Sequence, residues 1–276
     1  MLKPGDVVLV DEPSWFVMFG RFALLGATII GVPRTPSGPD CARLRELAKL
    51  HKPRMFVVMS ALHNPTSTSM NAACAYQVLK IAAEFDFLLV EDDVYGDLHS
   101  PQSAAAGIRL AALDQLQRVI YLSGFAKTMS ANLRVGFAAG PPDLIRRLTD
   151  LKMLVGLTTP ELGERVVYRI LSQGHYRRHL DRLRARLGRV RDTTIRELER
   201  VGLKLFADTS AGMFVWMDAA QDTNVLAQVL MEFGYLLAPG ALFMPDQRPS
   251  TWLRFNVATS RNPKMLAALS TALAAG

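Results

Sequence analysis

The first half of the chain repeats a short cycle: an apolar, mostly β-branched run, a polar or Gly/Pro break, then a longer segment with apolar residues three and four apart. The runs at 7–10, 27–32, 55–59, 87–90, 119–122 and 135–139 read as buried strands, and segments 40–51, 71–85 and 110–117 as helices between them. Strand and helix in alternation predict an α/β fold, a mostly parallel sheet covered by helices.

Beyond Gly140 the pattern changes. Segments 142–153, 160–172 and 175–201 have helical periodicity, with Gly188 the weak point of the third. Short strands follow at 203–206, 213–217 and 252–257, with helices at 224–233 and 263–275. This predicts a large domain over residues 1–170 and a smaller α+β domain over 171–276, divided near Leu171. No internal repeat or low-complexity linker interrupts them.

With 276 residues, 50% of them hydrophobic and 21% charged, the chain can bury one large or two modest cores. Its longest apolar stretches, such as 22–30, fall short of the roughly 18–20 residues of a membrane-spanning helix. The opening residues lack the pattern of a signal peptide, and Cys41 and Cys74 cannot make a disulfide framework or a zinc cluster. A cytoplasmic protein with no membrane segment is expected. The net charge of +7 owes much to the arginine-rich stretch between Arg165 and Arg200. Such a stripe reads as the solvated face of a long helix before it reads as a nucleic-acid surface.

In a parallel sheet of this kind ligands bind beyond the carboxyl ends of the strands, so the residues there carry the chemistry. After 7–10 comes Asp11-Glu12-Pro13-Ser14-Trp15, and after 55–59 comes His63-Asn64-Pro65-Thr66-Ser67. After 87–90 comes Glu91-Asp92-Asp93-Val94-Tyr95, and after 119–122 comes Ser123-Gly124-Phe125-Ala126-Lys127-Thr128, with Arg134 beyond. Taken singly each has an ordinary reading: a turn dipeptide for Asn64-Pro65, solvated acids or caps after a strand for Asp92 and Asp93, a core or interface residue for Trp15, a surface charge for Lys127, an ion-pair partner for Arg254. Gathered at one edge, an aromatic, an amide, a carboxylate, a phenol, a lysine and an arginine are the groups that a pyridoxal phosphate site requires.

The strings HNPTS, EDDVYGDL and SGFAKTMSANLRVGF, in this order and spacing, resemble the fold type I pyridoxal-phosphate enzymes of the class I/II aminotransferase family over essentially the whole chain. Their wording is most similar to the aminotransferase-like domain of MocR-type regulators, GntR-family transcription factors with an N-terminal winged helix. The resemblance implies Lys127 as the Schiff-base lysine, Asp92 as partner of the pyridine nitrogen, Tyr95 and Asn64 on the ring oxygen, Arg134 on the phosphate and Trp15 stacked on the ring. It implies Arg254, in WLRFNVA, as the grip on a substrate carboxylate, and a homodimer acting on an amino acid or amine and a 2-oxo acid.

The chain departs from the family where Ala126 and Gly124 stand at positions usually held by hydroxyl residues, which leaves Ser123 or Ser130 as substitutes. In the family, a segment preceding the equivalent of Pro4-Gly5-Asp6 adds phosphate-binding amides and part of the sheet. The expectation is therefore an N-terminally truncated large domain, short of a strand and of one wall of its site, with apolar surface exposed. Nothing in these residues resembles a winged helix, so the chain alone is expected not to bind nucleic acid. An aminotransferase is the first expectation, an effector-sensing regulator domain the alternative, and an inactive fragment a third.

Overall fold

A computed structural model describes residues 2–99 and 108–275. The six residues of β1, Val7–Glu12, are flanked by parallel partners on both sides, β2 (Thr28–Thr35) and β4 (Met55–Val58), which is why its sequence is almost continuously apolar. Parallel pairing continues to β5 (Leu88–Asp92) and β6 (Val119–Gly124). A two-residue strand, β3 (Gly38–Pro39), and β7 (Gly136–Ala139) close the two edges in antiparallel sense. The order is β3-β2-β1-β4-β5-β6-β7. Chain progression therefore reverses between β1 and β4, and a crevice opens at the carboxyl ends of those two strands.

Alternate residues of β1 supply opposite faces. Leu9, with Phe56, Val58 and Leu89, packs under α2 (Cys41–His51), α3 (Ala72–Glu84) and α4 (Leu110–Asp114) through Leu44, Leu47, Val78, Ile81 and Leu110. Val8 and Val10, with Met55 and Val57, pack against Phe19 of α1 (Phe16–Leu24). The Asp40 carboxylate caps α2 by accepting from the amides of Ala42 and Arg43, and the Asn71 side chain caps α3 by accepting from Cys74 N. Such caps contribute about 1 kcal/mol each.

A second, antiparallel sheet has the order β10-β11-β9-β8, formed by Ala238–Pro239, Trp252–Asn256, Phe214–Asp218 and Lys204–Leu205. Its core of Val215, Met217, Leu253 and Phe255 is covered by α8 (Thr223–Glu232), α9 (Pro263–Ala275) and Leu198 of α7 (His175–Arg200). In the chain, α5 (Pro142–Gly156) and α6 (Glu161–Ser172) follow the first sheet and precede α7. No residue of α5 is buried, and Leu154 and Val155 are 83% and 87% exposed.

Two helices, α1 and α4, differ from the pattern-based expectation, and the two-residue strands β3 and β10 lie outside it. Helix α1 is absent from it, because its sequence FVMFGRFAL is apolar nearly all round and offers no polar face to set a period. Helix α4 stops at Asp114 instead of 117 because Gln115 and Leu116 turn left-handed, with φ of 55° and 58°. Gly188 does not interrupt α7; a Cβ there would meet only open space, so nothing constrains it to be glycine. The arginines of α7 are mostly solvated as expected, but Arg191 is buried and donates to the carbonyl oxygens of Thr209 and Phe214. Among the described residues no helix is long and apolar enough to cross a membrane.

Candidate active site

The crevice at the reversal point is a cleft of about 390 Å³ whose lining includes Trp15, Asn64, Asp92, Tyr95, Lys127 and Arg134. These six come from the ends of β1, β4, β5 and β6, and the chain brings them together as the sequence predicts. Arg254, the seventh, is on β11 of the other sheet; its Nη1 donates to Asn64 Oδ1 at 3.0 Å, and its guanidinium lies 4.4 Å from the centroid of Phe214 and 4.9 Å from that of Phe243. The second sheet thus touches the cleft through one charged side chain. Burial lowers the pKa of Arg254 while the neighbouring Tyr95 pulls it back up.

Asp92 ends β5 and its carboxyl is pushed up to about 6, chiefly by desolvation, with Asp93 adding to the rise and Lys127 and the Val94 amide opposing it. A carboxylate in such a position gains from a cationic partner in the cleft. Tyr95 is buried, and its phenol is pushed up to about 12 by burial first and by Asp92 second, while Arg254 and hydrogen bonding with Asn64 oppose. It stays protonated, a donor at neutral pH. Lys127 Nζ stands 5.6 Å from the Tyr95 ring centroid.

Residues around Lys127 hold its backbone. The Thr128 carbonyl accepts from His179 Nε2 at 2.7 Å, and Thr128 Oγ1 is 2.9 Å from the Tyr176 hydroxyl, which donates to Asp97 Oδ2 at 2.6 Å. Both His179 and Tyr176 belong to the first turns of α7. Gly124, a departure from the family pattern, has a steric reason: a Cβ there would meet Val135 O at 3.0 Å and the Gly136 Cα at 3.1 Å. The β6–β7 hairpin closes too tightly for a side chain. Ala126 lines the cleft itself.

The loop carrying Asn64 rests on a buried polar network. Arg34 Nη1 donates to Asp11 Oδ2 at 3.0 Å and Arg34 Nε to Thr68 Oγ1 at 3.0 Å, with both charged side chains fully buried. Asp11 Oδ2 also accepts from Met59 N at 3.1 Å. His63 makes a local bond, Nδ1 to Thr66 Oγ1 at 2.9 Å, and burial beside Arg34 holds its pKa well below the ordinary value, so it is neutral. From the other side Ser67 Oγ donates to Phe214 O at 2.8 Å. The loop is therefore tied to both sheets.

Sequence reasoning missed Arg21, which lines the cleft from α1 and adds a cation to the one supplied by Arg134. The signal that could have found it is its place six residues after Trp15, on a helix that the periodicity does not reveal. It also missed Arg34 and its pairing with Asp11, which lies far away in sequence. A second network braces Asp92 from behind: Asp93 accepts from Tyr121 OH at 2.6 Å and pairs with Arg109, while Glu91 caps α4 by accepting from Leu110 N and Ala111 N at 2.9 and 2.8 Å.

A two-sheet α/β architecture with a lysine, a buried acid, an aromatic wall and a cationic end at its switch point defines the aminotransferase class of fold. The family described as "Aminotransferase class I and II" matches residues 1–272, and the chain belongs to that family. It superposes on Pyrococcus horikoshii kynurenine aminotransferase, solved with PMP, with a TM-score of 0.91 and 26% identity, covering 99% of this chain and 70% of that one. It is 30% identical over 268 residues to the 2-aminoadipate transaminase of Thermus thermophilus, covering 94% of this chain and 66% of that protein. It is 27% identical over 263 residues to the HTH-type transcriptional regulator YisV of Bacillus subtilis, covering 94% of this chain and 54% of the regulator. The chain thus spans about half to two thirds of the length of these curated relatives.

The family depends on pyridoxal phosphate, and the donor set here suits that group. An amine faces a partly desolvated carboxyl whose raised pKa marks an unmet need for a cation, and two arginines stand at the same cleft for an anion.

Proposed function

We propose that the chain carries a pyridoxal-phosphate site that moves an amino group between an amino acid and a 2-oxo acid. The observation that carries the reading is the convergence of Lys127, Asp92, Tyr95, Asn64, Trp15 and Arg134 on one cleft from four separate strand ends. When bound, the cofactor supplies an aldehyde that bonds amines and a ring that accepts electrons from the substrate Cα.

Each residue then has one task. Asp92 holds the proton on the ring nitrogen, for which its desolvated position is suited. Tyr95 and Asn64 would hydrogen-bond the ring oxygen, Trp15 would lie against the ring, and Arg134 and Arg21, which line the same cleft, would neutralise the phosphate. Arg254 holds the substrate carboxylate, exchanging its bond to Asn64 for a bidentate charge pair. Lys127 would be the residue that holds the cofactor covalently and the base that takes and returns the proton at the substrate Cα.

The same reading divides the chain into a cofactor-binding large domain, 1–170, and a small domain, 171–276, in a homodimer located in the cytoplasm. Its partners are small amines and oxo acids, not nucleic acid.

The test is a titration with pyridoxal phosphate. Wild-type protein should develop the visible band of a lysine-bound cofactor, and Lys127→Ala should not; a tight complex indifferent to Lys127 removes the assignment. A second reading, an effector-sensing domain of a regulator, is favoured by the similarity to YisV. The two separate on mixing the loaded protein with single amino acids: conversion of the cofactor to its amine form and recovery with a 2-oxo acid mark a transferase, and a spectral shift without conversion marks a sensor.

A further inference from the structure

Cys41 and Cys74 belong to different helices, and neither takes part in the cleft. Their sulfurs are 3.6 Å apart. Both thiols lie within 3.6 Å of a common acceptor, the Pro39 carbonyl oxygen. The β3 hairpin covers them closely, since a Cβ on Gly38 would stand 2.7 Å from Cys74 Sγ. Cys41 is only partly buried, whereas Cys74 is buried. The two thiols thus differ in access: Cys74 is sequestered and Cys41 is partly reached by solvent.

Their positions along the helices are as informative as their distance. Cys41 is the first residue of α2, directly after its cap Asp40, and Cys74 is in the first turn of α3, its amide bonded to the cap Asn71 at 2.8 Å. Two helix N-termini thus converge on one pair of sulfurs, with the Ala42, Arg43 and Cys74 amides taken by their caps. The hydrogen bond from Cys74 lowers the pKa of Cys41, against the opposing effects of burial and Asp40. The same bond and burial raise Cys74, which therefore keeps its proton. One sulfur is the nucleophile and the other its proton-bearing neighbour.

We infer that Cys41 and Cys74 form a peroxide-oxidisable dithiol that closes to an intramolecular disulfide joining α2 to α3. The Cys41 thiolate attacks a peroxide oxygen; the O–O bond breaks, a sulfenic acid forms on Cys41, and the leaving oxygen takes a proton to become water or an alcohol. Cys74 sulfur then attacks the Cys41 sulfur; the S–S bond forms, the S–O bond breaks, and the departing hydroxide takes the Cys74 proton as water. Two thiols lose two electrons and one peroxide gains them. The sulfurs need to approach by only ~1.5 Å to reach bonding distance, a movement within side-chain rotation. The crosslink lies at the base of the segment that carries Asn64, since Asn71 N donates to Ser37 O and Met70 N to Ser60 O.

The test uses the purified whole chain, treated with hydrogen peroxide and followed by intact mass and thiol titration. Expected are a mass loss of about 2 Da, disappearance of both thiols, a Cys41–Cys74 linked peptide and full reversal by dithiothreitol. The melting midpoint should rise by several degrees in the oxidised form, as loop-closing crosslinks do. In limiting alkylation of the reduced protein Cys41 should react well before Cys74. Stepwise gain of oxygen without loss of mass, disulfide-linked dimers, or faster labelling of Cys74 would overturn the inference. Cys74→Ser should stop at the reversible oxygen adduct on Cys41, and the wild-type mass change decides the matter even if that variant is unstable.

Discussion

Arg254 and Asn64, 190 positions apart, are joined by one hydrogen bond of 3.0 Å that links the second sheet to the cleft. The bond occupies the guanidinium while no carboxylate is present. In the proposed role of Arg254, replacing it with Lys keeps a charge but loses the planar fork that pairs with a carboxylate through two bonds. Arg254→Lys should therefore bind cofactor as the wild type does and require roughly 100-fold more amino acid for half-maximal conversion of the bound cofactor. Measured affinities for amino acid within a few-fold of wild type would place the carboxylate elsewhere.

Asp92 makes a second prediction, because its carboxyl titrates near 6 in the folded chain against an ordinary value of 3.8. Between those values the folded state holds more protons than the unfolded one, so this group lowers stability as pH rises from 4 to 6. The penalty reaches about 1–2 kcal/mol at neutral pH after allowing for partial solvation. Asp92→Asn should thus be more stable than wild type at about pH 7 by that amount, equal to it near pH 4, and poorer in cofactor binding. His99, whose pKa is lowered to about 4 mainly by burial, acts with the opposite sign in the same window. For that reason the quantity to measure is the difference between variant and wild type in urea unfolding at each pH.

The Arg34–Asp11 pair is fully buried, and breaking it leaves a charge without a partner. Asp11→Asn should cost about 3–5 kcal/mol, whereas replacing both members together with apolar residues of similar size should recover most of the loss. Chemical denaturation of the single and paired variants makes the comparison. A small effect in the single variant would mean that water reaches the Asp11 site.

The proposed homodimer rests on the face of α5, where Leu154 and Val155 are exposed beside Leu157 at 73% and Met153 at 60%. Exposed apolar groups in one patch mark an interface. Leu154→Asp combined with Val155→Asp should shift the sedimentation coefficient from dimer to monomer while leaving the secondary structure intact. A wild-type chain that is monomeric at micromolar concentration would contradict the dimer.

Much of this is legible along the chain because the site is built at strand ends, and strand ends are marked where apolar runs stop. Trp15, Asn64, Asp92 and Lys127 each follow such a stop closely, so position and chemistry point the same way. Helix α1 is hidden by its near-uniform apolar surface, with even the solvent side carrying Val17 and Leu24, and Arg21 is hidden with it. Asp11, Arg34 and Thr68 meet across 23 and 34 positions, and no local period reports a contact of that span. The lack of a hydroxyl at Gly124 is visible in the sequence, but its reason lies in the hairpin that brings Val135 O against it.

Helix α7 runs for 26 residues, a shaft of roughly 39 Å. Near its start His179 and Tyr176 are fastened to Thr128, next to the lysine, and farther along Arg191 is bolted to Thr209 and Phe214. One helix is thus fastened at one place to the residue that follows Lys127 and at another to β9, the strand paired with the β11 that carries Arg254.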